Sequence, residues 1–181
     1  FAAALAWWVV SRNDRVSLTL FDRGIRRFLP PGSTRKHLND LLNTLETNTP
    51  GSGTSLVETL ARAHPLLKRK GTLVILSDFF TDPPALFRAL NPYLHRGFRI
   101  HLFHLLDPAE ITLEDRGLSR FVDMETADHL TLHPKAYREA WNREIIAHTR
   151  ALRALATARR TDYALTSTAD PYFALFDRLR D

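Results

Sequence analysis

Apolar positions in this chain repeat with two periods that alternate along its length. Leu38, Leu41, Leu42 and Leu45 recur at spacings of three and four and predict a helix over 34–46, with Ser33 or Thr34 placed to cap it. Residues 15–22, RVSLTLFD, alternate instead, and Val16, Leu18 and Leu20 share one face of a predicted strand. The next stretch, RGIRRFLPPG, reads as a turn and a short edge strand, because consecutive prolines cannot sit in a central ladder. Ser55-Leu56-Val57-Glu58 matches a capping box and predicts a helix to about Leu67. TLVILSD, residues 72–78, is continuously apolar up to Ser77 and predicts a central strand covered on both faces.

The same reading carries on to the C-terminus. Pro83-Pro84 opens a helix to about His95, with Leu86, Phe87, Leu90 and Leu94 inward and Asp82 as its cap. FRIHLFHLLD, residues 98–107, is a further strand. Tyr137, Trp141, Ile145, His148, Leu152 and Leu155 form the apolar stripe of a long helix that starts at Pro134. DYALTST is the last strand, and Asp170-Pro171 predicts the start of a closing helix. Residues 108–133 break the rhythm. They are acidic and form an insertion with a hairpin expected around Arg120–Asp123 and Leu130–Leu132. The order of strands and helices predicts a single α/β domain over residues 1–181, with a doubly wound, mostly parallel sheet.

Composition narrows this little. The chain has 181 residues, 44% of them hydrophobic, enough for a core without metal or disulfide support. It has no cysteine, which removes thiolate chemistry and fits a reducing, cytoplasmic setting. The net charge of +5 is a small basic excess and argues against nucleic acid as the main partner. The arginines of the long helix lie off its apolar stripe, as a solvated face would. The leading FAAALAWWVV is too short to span a bilayer. It reads as the last turns of a buried helix with Leu5, Trp8 and Val9 inward, so the chain is expected to be a piece of something longer.

Candidate chemistry gathers at strand ends, where open parallel sheets bind ligands. Asp22, Asp78 and Asp107 each close a predicted strand, and Thr54 sits in the GSGTS loop before a helix. Ser77, Asp78 and Thr54 offer oxygens, which suit Mg²⁺ better than a soft metal. Asp22, before Arg23-Gly24, reads as a turn former. No phosphate-binding loop with its lysine, dinucleotide fingerprint or Gly-x-Ser-x-Gly elbow is present. His101, His104 and His148 fall on apolar faces and read as structural.

GTLVILSDFFTDPPALFRAL, RGFRIHLFHLLDPAEITL and RFVDMETADHLTLHPKAYREAW, with DRVSLTLFD and GSGTSL, closely resemble DUF58, a family of uncharacterised proteins related to the von Willebrand factor A fold. The resemblance implies a von Willebrand factor A-like (Rossmann-like) sheet. It also implies a metal-ion-dependent adhesion site, with Thr54 and Asp78 at the positions of the threonine and aspartate ligands and Mg²⁺ or Mn²⁺ as the ion in the intact domain. The Asp-x-Ser-x-Ser motif of that site and the first strand are absent from this sequence. Two ligands are too few for firm binding, and the strands left without that neighbour are expected to present edges through which protomers could pair. The resemblance further implies a non-enzymatic module for protein partners, working beside a MoxR-type AAA+ ATPase. A metal-dependent hydrolase or phosphoryl-transfer enzyme using Asp78 with Asp22 or Asp107, and a structural domain of a longer protein, stand as alternatives.

Overall fold

The computed structural model describes residues 1–49, 51, 53–112, 119–122 and 129–179. Glu114, Asp115, Asp123, Glu125 and Asp128 of the expected acidic insertion lie outside them, as do Ser52 and the last two residues. The chain divides into two compact units, residues 1–68 with 171–181 and residues 69–170.

The first unit begins with helix α1, Ala2–Ser11, which buries Ala6 and Val10. Leu5, Trp8 and Val9, expected inward, are half-buried, and Trp7 is exposed. Asn13 ends the helix in the left-handed region at φ 62°, a conformation asparagine tolerates better than most residues. Strands β1, Val16–Phe21, and β2, Ile25–Gly32, pair antiparallel as a two-stranded sheet. β1 is therefore part of a hairpin rather than of the parallel sheet, and Pro30 and Pro31 lie on a strand with one partner, at the point where the ladder register shifts opposite Val16–Leu18. Helix α2, Arg35–Glu46, is capped by Thr34, whose side chain accepts from the His37 N–H. Helix α3, Leu56–Ala63, continues into a 3-10 turn at His64–Leu66. Ser55 makes no side-chain cap. Its N–H instead donates to the Asp22 carbonyl at 2.8 Å, so the expected capping box is not formed. Residues 171–179 return to α1, where the Phe176 ring meets Phe1 and Trp8 at 5.1 and 6.1 Å.

The second unit is built on three parallel strands: β3, Thr72–Ser77, β4, Arg99–Leu106, and β7, Asp162–Ser167, in the order β3-β4-β7. This α/β arrangement of parallel strands flanked by helices is consistent with a Rossmann-like fold. β4 is the central strand, and all but two of its residues are buried. β3, expected at the centre, has one partner in this sheet and is mostly half-buried. Helix α4, Pro83–His95, buries Leu86, Phe87, Leu90 and Tyr93. Asp82 caps it by accepting from the Ala85 N–H at 2.9 Å, as its place before Pro83-Pro84 predicts. A short helix α5, Pro108–Thr112, follows β4. The expected hairpin is present as β5, Ser119–Val122, and β6, His129–Leu132. The long helix α6, Pro134–Ala158, buries Leu152 and Ala156 and packs against α4 and β7. Its N-terminal half carries its stripe less deeply, with Tyr137 exposed and Trp141, Ile145 and His148 half-buried.

Asp170 does not cap a closing helix. Its carboxylate turns back to accept from the Ser167 N–H at 3.0 Å and the Thr166 hydroxyl at 3.3 Å. The helical turn α7, Ala174–Asp177, forms only three residues beyond Pro171.

Candidate functional site

Thr54 lies in the first unit, exposed, in a loop held against the turn after β1. Gly53 is buried there at φ +80°, a backbone that disfavours side chains, and a Cβ would also meet the Arg23 guanidinium. Asp22 is engaged on several sides. Its carboxylate pairs with Arg26 at 3.3 Å, its N–H donates to the Gly24 carbonyl, and its own carbonyl accepts from Ser55. That is the turn-forming role its sequence context suggests. Asp78 belongs to the second unit.

In the second unit, the carboxyl ends of β3, β4 and β7 present Asp78, Asp107 and Asp170. Two of the three are occupied. Asp107 Oδ1 accepts from the Ala109 N–H at 2.8 Å and Oδ2 from the Thr168 hydroxyl at 3.2 Å, while Glu110 Oε2 accepts from the Asp107 N–H at 2.7 Å. Asp107-Pro-Ala-Glu110 is thus a reciprocal cap on α5 that also ties the end of β4 to β7. Asp170 is bound to its own turn, as above. Asp78 is exposed, and its acceptor contacts, from the Ser77 hydroxyl and the Phe80 N–H, are both 3.4 Å, at the outer limit of a hydrogen bond. It is the least committed of these three carboxylates.

The turn after β3 sets this geometry. Phe79 adopts φ +50°, rare for a bulky residue, and its ring is buried, edge-on to His104 at 5.7 Å. Turning Phe79 inward sends Asp78 and Phe80 outward. Two histidines brace the turn. His148 Nε2 donates to the Phe79 carbonyl at 2.9 Å. His104 Nδ1 is hydrogen-bonded to the Tyr163 hydroxyl at 2.7 Å. Burial, then the like charge of His148, pushes the His104 pKa down to about 4, with the Asp78 backbone opposing. Burial also raises the Tyr163 hydroxyl to about 12. Both groups are neutral near pH 7, consistent with a structural clamp.

Phe80 does not return to the core. It is 49% exposed and stands 6.5 Å from the Trp141 ring and 6.4 Å from His148. Phe80, Trp141, Glu144, Ile145 and His148 line a pocket of about 230 Å³. The Trp141 indole N–H donates to the Glu110 carbonyl at 2.6 Å, which fixes the wall. No motif marks this pocket in the sequence. Trp141, Ile145 and His148 read there as an apolar stripe, and nothing local shows that Phe80 emerges beside them.

Magnesium asks for near-octahedral oxygen coordination. Beside Asp78 stands the Ser77 hydroxyl, which already accepts from the Phe79 N–H. Among the described residues, no group of three or more His, Asp or Glu side chains could hold a metal ion. Thr54, the other expected ligand, belongs to the first unit.

A family model described as a protein of unknown function, DUF58, matches residues 1–151. Among solved structures, the fold is similar to that of the conserved hypothetical protein BatB from Bacteroides thetaiotaomicron, with TM-score 0.58 and 14% identity over 98% of this chain and 84% of that one. It is also similar to an aerotolerance-related membrane protein from Bacteroides fragilis NCTC 9343, with TM-score 0.54 and 15% identity over 92% of this chain and 80% of that one. At these identities the likeness speaks for the fold alone. No curated protein matches the chain. Among the described residues, no helix is long and apolar enough to cross a membrane.

Proposed function

This chain belongs to the DUF58 family, and from that premise we propose that it is a non-enzymatic protein-interaction module of von Willebrand factor A-like type, docking partners at the carboxyl end of β3. The observation that carries the reading is the pair Asp78 and Phe80, a loosely bonded carboxylate beside an exposed ring, on a turn held rigid from behind by His104 and His148. A rigid aromatic anchor next to an available charge is the composition of an interaction hot spot. The commitments of Asp22 and Asp107 favour this reading over a hydrolase, since both carboxylates serve their own turns and caps. The resemblance of the motifs to von Willebrand factor A domains supports a protein partner, and the DUF58 context makes a MoxR-type AAA+ ATPase the partner to test.

The test is calorimetric titration of this chain with a MoxR-type ATPase from the same genome, run with Mg²⁺ and with a chelator. Saturable binding that survives the chelator is expected. Absence of binding in both conditions removes the ATPase from the proposal, and binding only with Mg²⁺ makes the docking metal-dependent.

A further inference from the structure

We propose that the pocket between Phe80 and α6 is a receptor for an arginine side chain of a protein partner, the Trp141 and Phe80 rings taking the guanidinium plane and the Glu144 carboxylate its N–H groups. The inference rests on the reading of this end of the sheet as a docking face and names the chemistry of what docks. At about 230 Å³ the pocket is smaller than the roughly 300–1,000 Å³ of small-molecule and cofactor sites, and suits one side chain. Among the described residues its lining is aromatic and aliphatic except for His148 and Glu144. His148 Nε2 is already committed to the Phe79 carbonyl, and Glu144 is the acidic group of the lining among the described residues.

That carboxylate is available. Glu144 is exposed, and no described residue pairs with it. Its helical neighbours at three and four positions are Ala140, Trp141, Ala147 and His148, so no lysine or arginine of α6 sits at ion-pair spacing. A carboxylate next to two aromatic faces complements a cation. Arginine matches better than lysine, because its planar guanidinium stacks on a ring while donating two N–H bonds to one carboxylate.

The probe is the blocked tripeptide Gly-Arg-Gly. Its counterparts carry citrulline, the same shape without the charge, or lysine. The readout is the Trp141 indole resonance in an ¹⁵N-correlated NMR spectrum, assigned with Trp141→Phe. The expected result is a saturable shift with arginine in the millimolar range, weaker by about tenfold or more with citrulline and in Glu144→Gln. Glu144 is exposed, so the substitution leaves the fold intact, and a melting temperature near wild type in the free variant verifies this. Equal shifts with arginine and citrulline, or none with either, overturn the proposal, and equal binding of lysine overturns the assignment to arginine. The assay needs neither ATPase nor metal. Arginine binding without ATPase binding would fail the partner reading alone, and the reverse would fail this inference alone.

Discussion

Phe79 holds the candidate site in place without belonging to its surface. Its left-handed backbone costs about 1–2 kcal/mol for a residue with a Cβ, which burial of its ring against His104 offsets. Phe79→Ala should therefore destabilise the protein by about 3–5 kcal/mol in urea unfolding, since it keeps the strain and loses the ring. Asp78→Ala, by contrast, removes only two long hydrogen bonds at an exposed position and should leave the circular dichroism spectrum and melting temperature nearly unchanged. His104 adds a pH dependence. Its folded pKa lies below the ordinary histidine value, so the unfolded chain binds the proton more readily. Stability is complete above about pH 6.5 and falls as the pH drops toward 4. His101, also lowered by burial, works in the same direction. A melting-temperature series in wild type and His104→Gln should show a shallower acid slope in the variant, and parallel slopes would contradict this account of the clamp. The SDFF turn was legible as a place of interest because a carboxylate ends an apolar strand. Which phenylalanine turns inward was not, because a phenylalanine carries no local signal for a left-handed backbone.

At the scale of elements, periodicity was a good guide where one face of a segment meets a core. α2 and α4 follow their apolar spacing to within a residue of the expected bounds, and α6 starts at Pro134 as expected. Local polar signals were less dependable, because a side chain that can cap can also be held elsewhere. Ser55-x-x-Glu58 has the capping-box pattern, yet the loop before α3 is tied through the Ser55 N–H to Asp22. Asp107-Pro-Ala-Glu110 has an equivalent pattern and forms the box, although strand-end logic marked Asp107 for a ligand. Strand order was the least legible feature. β3 and β4 both read as largely apolar strands, β4 interrupted by His101 and His104, and only pairing shows that β4 lies between β3 and β7. Loss of the α5 cap in Asp107→Ala should cost about 1 kcal/mol in denaturant unfolding, with a further loss from the broken Thr168 bond. Glu110→Gln, which keeps an acceptor for the Asp107 N–H, should cost less than Asp107→Ala.

For the whole molecule, family membership and an α/β fold are in hand, and the action proposed is binding rather than chemistry. The two residues aligned by resemblance with a metal site are Thr54 in the first unit and Asp78 in the second, and among the described residues no three His, Asp or Glu side chains gather as a metal site. Mg²⁺ or Mn²⁺ titrated into this chain should bind no more tightly than the millimolar range, and a micromolar dissociation constant would show that the donors had been undercounted. The small net charge of +5 leads to a related expectation for duplex DNA, namely weak association that salt abolishes without sequence preference.

The central claim is that the carboxyl end of β3 is where a partner docks, and its most direct measurement is the affinity of a MoxR-type ATPase for four proteins side by side: wild type, Asp78→Ala, Phe80→Ala and, as a control bound to its own turn, Asp170→Ala. The account predicts that Asp78→Ala and Phe80→Ala each weaken binding by about tenfold or more, with melting temperatures near wild type, and that Asp170→Ala binds like wild type despite being less stable. Wild-type affinity in both Asp78→Ala and Phe80→Ala would contradict it.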